Sequence, residues 1–381
     1  MNLARTDIRY HFVRFFLMTL GVSALLTGTL GMIGLYKGII FEALLMINST
    51  GTDLWVVQAG RVGPFAENSE ISDIMDRRLE GVPGVSRARR FIQFNQQYEV
   101  RGRRLPIAIT GLDFPKDNGS WLPLVAGRHL YAGHYEAIAD QSLGFAVGDL
   151  VRMGLDDYLV VGVARGQTDV GGDGLLYVSI PDSQTLRKYT VSEGILLDRA
   201  RAINLQGGRQ PAGRIAAVMV TLQPNADIEQ VKSFIRKWGD VAVLTREDEV
   251  DIMLNSRLWK LRNQLLGFLS MTFLVTAIVI GLSLYTTTLE KTHQIALLKL
   301  IGARDSLIIG MIVEQALLVG AFAFCLSVFW SEVIFPHFPR VVLIELRDFA
   351  FVGVVTVILC LIGSWFGIRK ALAVQAQEVL S

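Results

Sequence analysis

The chain has 381 residues, of which 51% are hydrophobic and 19% charged, and its mean hydropathy is +0.41. Such values exclude an ordinary water-soluble globule and predict membrane spans. The formal net charge of +2 offers no broad basic surface for nucleic acid, and both cysteines, Cys325 and Cys360, fall in apolar runs, which argues against a disulfide framework.

Residues 3–16 read as an amphipathic entry, with Ile8, Phe12 and Phe15 on one face and Arg5 and Arg9 on another. That pattern suits an interfacial anchor or a collar against cytoplasmic machinery. A first apolar run, about Phe15 to Tyr36, carries Gly28, Gly31 and Gly34 at three-residue spacing. Such a face admits close helix approach, either in self-association or against another span of the same chain. The helical pattern continues past Lys37 through Ile40, Leu44 and Ile47. On that extension Glu42 and Met46 are candidates for lining a substrate groove, or are ordinary helix residues.

More than 200 hydrophilic residues follow, with the pattern of an α+β domain. Asp53–Gln58 reads as a strand, Glu70–Glu80 as a helix with Ser69 or Ser72 as cap, and Gly84–Phe94 as a strand. Near the end of the segment Ala216–Leu222, Ala226–Trp238 and Val241–Leu244 repeat the order strand, helix, strand. Paired, the two units make a ferredoxin-like layer. Between them, about 98–214, lies an insertion of short strands, with a hairpin at Arg101-Gly-Arg-Arg. Thr245 and Asp248 form a capping box that opens a helix running without a stop signal into the second apolar run, a rigid stalk of over 60 Å at about 1.5 Å per residue.

Three more apolar runs follow, at about Leu265–Thr287, Leu307–Trp330 and Phe349–Ile368. Arg5, Arg9 and Arg14 precede the first span, Lys291, Lys299 and Arg304 fill the loop after the second, and Arg369 and Lys370 follow the fourth. The positive-inside rule puts both termini and that loop in the cytoplasm and the large domain outside. The division expected is 1–36 for the entry and first span, 37–263 for the outer domain with its stalks, and 264–381 for the remaining spans. Glu314, the one ionisable residue well inside the third run, is expected to face the bundle as a brace paired with Thr288 or Lys291, or else to belong to a transport path. The loop 288–305 is amphipathic, with Ile295, Leu298 and Ile301/Gly302 at helical spacing, as in a surface helix that offers one face to a partner.

Catalytic chemistry has no candidate site. There is no Walker A sequence, no His-Glu-x-x-His, no Gly-x-Ser-x-Gly and no Cys-x-x-Cys, and the five histidines are scattered. No metal ligand set is expected.

The stretch Glu290-Lys-Thr-His-Gln-Ile-Ala-Leu-Leu-Lys-Leu-Ile-Gly-Ala resembles the segment after the second span of MacB/FtsX-type ABC transporter permeases, also called type VII or mechanotransmission transporters. It matches at Glu290, Ile295, Leu297, Leu298, Lys299, Gly302 and Ala303 and departs at Gln294 and Ala296. Glu314 matches a glutamate usual in the family's third span. Asp53-Leu-Trp-Val-Val-Gln, Gly63-Pro-Phe-Ala and Ala139-Asp-Gln-Ser-Leu-Gly-Phe-Ala-Val-Gly-Asp resemble the outer domain of the DevC/HrtB-like branch. The resemblance implies an integral membrane protein of the bacterial inner membrane, working as a homodimer with a separate cytoplasmic ABC ATPase. ATP and Mg would be bound by that partner and no cofactor by this chain. Glu290, Ile295, Leu298, Lys299, Gly302 and Ala303 would form the coupling helix. A periplasmic adaptor, an outer-membrane channel and membrane lipid are further partners it implies; nucleic acid is not. The work driven would be export or extrusion of a substrate such as haem, lipid or glycolipid, peptide or drug. The alternative is an FtsX-like signalling scaffold that activates a cell-wall hydrolase without transport.

Overall fold

The computed structural model describes residues 12–100, 102–188, 213–290, 292–302, 304–338 and 340–373. The expected amphipathic entry lies mostly outside them. In chain order the elements are α1 (Phe12–Ser49), β1 (Leu54–Gln58), β2 (Ile71–Ser72), α2 (Met75–Glu80), β3 (Val85–Val100), β4 (Arg103–Leu112), β5 (Leu124–Gly127), β6 (Glu136–Asp140), β7 (Leu150–Met153), β8 (Asp156–Ala164), β9 (Gly174–Ser179) and α3 (Ile180–Lys188). They continue with β10 (Arg214–Ile215), β11 (Ala217–Leu222), α4 (Ile228–Arg236), β12 (Val241–Thr245), α5 (Arg246–Ile252), α6 (Trp259–Glu290), α7 (Thr292–Leu300), α8 (Asp305–Ile334) and α9 (Leu346–Ala373). The chain divides into two units, with boundaries at Gly38/Ile39 and Trp259/Lys260.

The sheet unit is built on alternation. Its long sheet has the order β12-β1-β11-β3-β4-β9-β6-β8-β5, with β7 paired to β8. The first four strands are mutually antiparallel and, with α2 and α4, form the expected split βαβ layer. Leu54, Val56, Val218, Val220 and Ile92 point to one face, where Leu79 of α2 and Val231 and Ile235 of α4 cover them. Trp55, Val57, Phe91 and Met219 point to the other, joined there by Met46 of α1. The insertion extends this sheet: β3 and β4 make a hairpin closed by Val100 and Arg103, and β4 then pairs in parallel with β9. Its own core gathers Ile107, Ile109, Tyr158, Val160 and Val178.

Three local expectations need correction. The helix expected over Glu70–Glu80 is confined to Met75–Glu80, because Ile71 and Ser72 pair with Ile215 and Arg214 as a two-stranded ribbon. Neither Ser69 nor Ser72 caps that helix; its first flanking residue, Ile74, makes no side-chain cap, and the Ser69 hydroxyl instead accepts from the Gln58 N–H at 3.0 Å. The stalk is not one unbroken helix. The capping box forms, Thr245 Oγ1 accepting from the Asp248 N–H at 3.1 Å and Asp248 accepting from the Thr245 N–H at 2.9 Å. Met253–Arg257, however, is a π-turn: the Leu258 N–H reaches back to the Met253 carbonyl, and the Asn255 amide donates to Asp251 at 2.6 Å.

The membrane unit contains four helices long and apolar enough to cross a bilayer, over Phe15–Ser49, Trp259–Glu290, Asp305–His337 and Leu346–Arg369, the first continuing into the sheet unit. Val22, Leu26 and Leu30 of α1 meet Ile280 and Leu284 of α6, Ala316 and Ala323 of α8, and Val352 and Cys360 of α9. Hydroxyls inside this core return their hydrogen bonds to the preceding turn, Thr27 to Ser23, Thr276 to Thr272 and Thr356 to Val352, whereas the buried Thr19 hydroxyl has no partner among the described residues.

Candidate coupling site and membrane site residues

The segment between the second and third spans folds as α7. Its sequence is apolar on more than one face, and the structure divides those faces. Ile295 is only 1% exposed and packs against Ile308 and Ile312 of α8 and Ile368 and Ala371 of α9. Lys299, also expected to contact a partner, donates to the Leu372 carbonyl at 3.1 Å, where a cation suits the last turn of α9. These two residues therefore fasten α7 to its own chain. The face turned outward carries His293, Leu297, Leu300 and Ile301, the last 85% exposed. Spacing alone placed Ile295 and Ile301 on one stripe; the real outward stripe is Leu297, Leu300 and Ile301. No single-sequence signal separates the two stripes, because both are apolar.

Gly302 ends the helix. Its φ is +89°, its N–H donates to the Lys299 carbonyl at 3.0 Å, and the space a Cβ would occupy is open. The glycine is needed for its left-handed backbone rather than for close approach. Glu290 is exposed at the end of α6 and is not without a partner. Ala303 lies outside the described residues, as does the side chain of Leu298.

The glycine face of α1 packs within the chain. An added Cβ at Gly31 would meet the Phe335 ring at 3.2 Å, and one at Gly34 would meet Ile344 at 2.8 Å and Val342. Gly38, not singled out from sequence, lies against the Val341 carbonyl. The irregular segment 340–345 thus lies along this face, and the Leu343 N–H donates to the Gly34 carbonyl at 3.0 Å. Lys37 fixes its far end through Asp348 at 2.9 Å and Glu345 at 3.2 Å. Gly28 has nothing within 4 Å of an added Cβ.

Glu42 and Met46 do not line a groove. They are 4% and 6% exposed, and with Ala43 and Ile47 they make the inward face of α1 in the sheet unit. Glu314 is exposed on α8 and makes no hydrogen bond or ion pair among the described residues; of its two expected partners, the Thr288 hydroxyl is committed to the Leu284 carbonyl at 2.7 Å and Lys291 lies outside the described residues.

Sequence reasoning also missed a buried carboxyl. Glu249 on α5 is 1% exposed, its Oε1 has no hydrogen-bond partner among the described residues, and Gly63 lies directly on its carboxyl group. Burial, with Asp248 adding to it, pushes this carboxyl up to about 8.

Four spanning helices, a sheet-rich domain between the first two and an anchored helix between the second and third define a membrane protein of permease type. Residues 15–237 match the MacB-like periplasmic core domain and residues 266–376 the FtsX-like permease C-terminal domain. The chain belongs to the MacB/FtsX family of ABC transporter permeases. It is 22% identical over 379 residues to an uncharacterized ABC transporter permease of Mycobacterium tuberculosis, covering 98% of this chain and 97% of that one. A second such permease, of Mycobacterium bovis, is 23% identical over 374 residues, covering 97% and 96%. Among solved structures, the periplasmic region of MacB from Actinobacillus actinomycetemcomitans aligns with TM-score 0.38 and 12% identity, covering 57% of this chain and 98% of that one. The extracellular domain of the ABC-type transporter YknZ from Gram-positive bacteria aligns with TM-score 0.34 and 13% identity, covering 51% and 100%. At such TM-scores neither fixes a residue correspondence.

Proposed function

We propose that this chain is the membrane subunit of an ATP-driven exporter of the bacterial inner membrane, in which a separate cytoplasmic ABC ATPase binds α7 and two copies of the chain work as a pair. The observation that carries this reading is the outward stripe of Leu297, Leu300 and Ile301 on a helix held to its own bundle by Ile295 and Lys299. Apolar side chains at a helix surface beyond the spans call for a protein partner, and the fastening behind them lets a push on α7 reach α8 and α9. ATP and Mg belong to the partner. Helix α1 and the α5–α6 segment connect this bundle to the sheet unit, which faces outside the cell in this reading. Export is favoured over signalling because the outer sheet continues past its four-stranded layer into an insertion with its own core. The substrate classes that fit are haem, lipid or glycolipid, peptide and drug.

The test is co-purification with the full-length chain. An ABC ATPase is expected to accompany the wild type and to be lost from a Leu297→Asp/Ile301→Asp variant that keeps the wild-type melting temperature. Retention by that variant, or no ATPase with the wild type, refutes the assignment. Loss of efflux on deletion supports export; intact efflux with a failure of cell-wall hydrolysis supports signalling.

A further inference from the structure

Residues 59–69 close into a loop that lies on α5. Its base is tied by the Gln58 N–H on Ser69 Oγ at 3.0 Å, the Glu70 N–H on Gln58 Oε1 at 3.3 Å and the Ala59 N–H on the Asp240 carbonyl at 3.2 Å. Phe65 packs T-shaped against Trp55, with ring centroids 5.1 Å apart, and lies 5.5 Å from Phe91. Gly63 rests on the Glu249 carboxyl group, so close that an added Cβ would fall 2.8 Å from its Cδ. Its φ of +80° suits glycine and strains any other residue. Loop backbone therefore meets carboxyl with no side chain between them. Among the described residues no hydrogen bond joins 62–68 to the rest of the sheet unit, so the contacts of Phe65 and Gly63 seat the loop.

This seat suits the neutral acid. Ionised in place, Glu249 would put a charge where it is 1% exposed and one of its oxygens has no hydrogen-bond partner among the described residues. On α5 itself Asp248 adds like charge, Arg246 is bound to Asn48 at 2.7 Å, Asp251 accepts from Asn255, and Glu247 is exposed. Lys232 of α4 is bound to Asp248 at 3.0 Å, and Arg61 of the loop pairs with Glu67 at 3.7 Å. The inward face of α1 adds a second acid, Glu42, and β1 and β12 carry no charged side chain. A cation beside the carboxyl would hold it low, as Arg128 does Glu136; burial instead pushes Glu249 up to about 8.

We propose that Glu249 and loop 60–68 form a proton-operated latch: with the proton bound the loop is seated on α5, and when the proton passes to solvent the loop lifts and the carboxylate reaches water. The loop yields before α5 does, because α5 is fixed by its capping box and by Lys232. Helix α5 leads through the π-turn at Met253–Arg257 into α6, so the latch sets how firmly the sheet core grips this stalk. With the sheet unit outside the cell, as proposed above, the external medium supplies the proton.

The experiment is hydrogen–deuterium exchange of the full-length protein in detergent at pH 5.5 and pH 7.5, corrected for the intrinsic rate and read from peptides covering 59–69. Both pH values lie between the ordinary 4.5 of the carboxyl and its folded value of about 8, so the opening constant of the wild-type loop should rise about tenfold per pH unit. Glu249→Gln and Glu249→Met, neutral throughout, should be equally protected at both pH values. Gly63→Ala, whose Cβ presses on the carboxyl, should leave the loop open at both. Wild-type protection that does not change with pH, the same rise in both neutral variants, or a Gly63→Ala loop as protected as wild type at pH 5.5 overturns the latch. So does a rise shared equally by peptides of β3 and β11, since the whole sheet unit would then be opening.

Discussion

Replacing Glu249 by glutamine tests the energetic cost of the buried carboxyl. The side chain is enclosed, Gly63 covers it and Oε1 has no hydrogen-bond partner among the described residues, so the folded chain holds the neutral acid. Its folded value of about 8 exceeds the ordinary 4.5. Below pH 4.5 both folded and unfolded states are protonated and there is no penalty. As pH rises towards 8 the unfolded chain ionises and the folded chain does not, so stability falls by about 1.4 kcal/mol per pH unit. The deficit is about 3 kcal/mol at pH 7 and levels off at about 5 kcal/mol above pH 8. Glu249→Gln removes that dependence and retains the shape, at the expense of an amide N–H₂ without an acceptor, about 1 kcal/mol. Thermal unfolding of the full-length protein in detergent, followed by tryptophan fluorescence, should therefore show the variant no more stable than wild type at pH 5. At pH 8 it should melt higher by roughly 6–12 °C. Parallel pH profiles for the two proteins would refute the reasoning.

Gly38→Val places a side chain on the Val341 carbonyl, so segment 340–345 must leave α1. The expected cost is about 1–3 kcal/mol, read as a lower melting temperature and faster proteolysis within 340–345. Arg89 and Asp117 pair at 2.7 Å in the sheet unit with both side chains nearly inaccessible, and Arg89 also donates to the Thr50 carbonyl at 2.5 Å. Arg89→Met alone should cost about 3–5 kcal/mol, and adding Asp117→Asn, which removes the charge but keeps an acceptor for the Gly119 N–H and the Trp121 indole, should recover much of it; equal losses in the single and double variants would show that the ion pair is not the cause. Burial works to raise the Glu136 carboxyl, but Arg128 at 2.6 Å and the N–H groups of Ala132 and Tyr131 outweigh it and hold it down to about 2. The stability this supplies is full above pH 4.5 and is lost as pH falls towards 2, so Glu136→Gln should flatten the acid limb of the unfolding profile in that window.

What was legible in the sequence follows from the range of the interactions involved. The spans rest on composition, and β1, β11 and β12 on short apolar runs of a few residues, so a local window contains their cause. Ile71 and Ser72 were misread because their strand partners, Ile215 and Arg214, are more than 140 residues away; the acidic and polar residues around them otherwise suit a helix start. Helix α3 opens with Ile180-Pro181 directly after β9, where the apolar run masks the change of structure. The π-turn at Met253–Arg257 leaves the apolar spacing almost intact, so periodicity passes over it. Glu42 and Met46 stayed open between groove lining and ordinary helix because helical spacing gives their common face but not what covers it.

The same limit governs the coupling helix. A surface helix next to a bilayer is normally read from one apolar stripe, but α7 has to satisfy two constraints at once. One stripe must fasten it to α8 and α9, since a helix that slides on its own bundle transmits nothing. In the proposed function the other attracts a partner, Ile301 being 85% exposed. A sequence that meets both demands loses its amphipathic contrast, and two of the residues that match the family pattern, Ile295 and Lys299, serve the fastening. On this argument the family segment records an internal joint as much as an interface. Substitutions at Ile295 should therefore act through the stability of the α7–α8–α9 contact, and substitutions at Leu297 and Ile301 through partner binding with that contact unchanged.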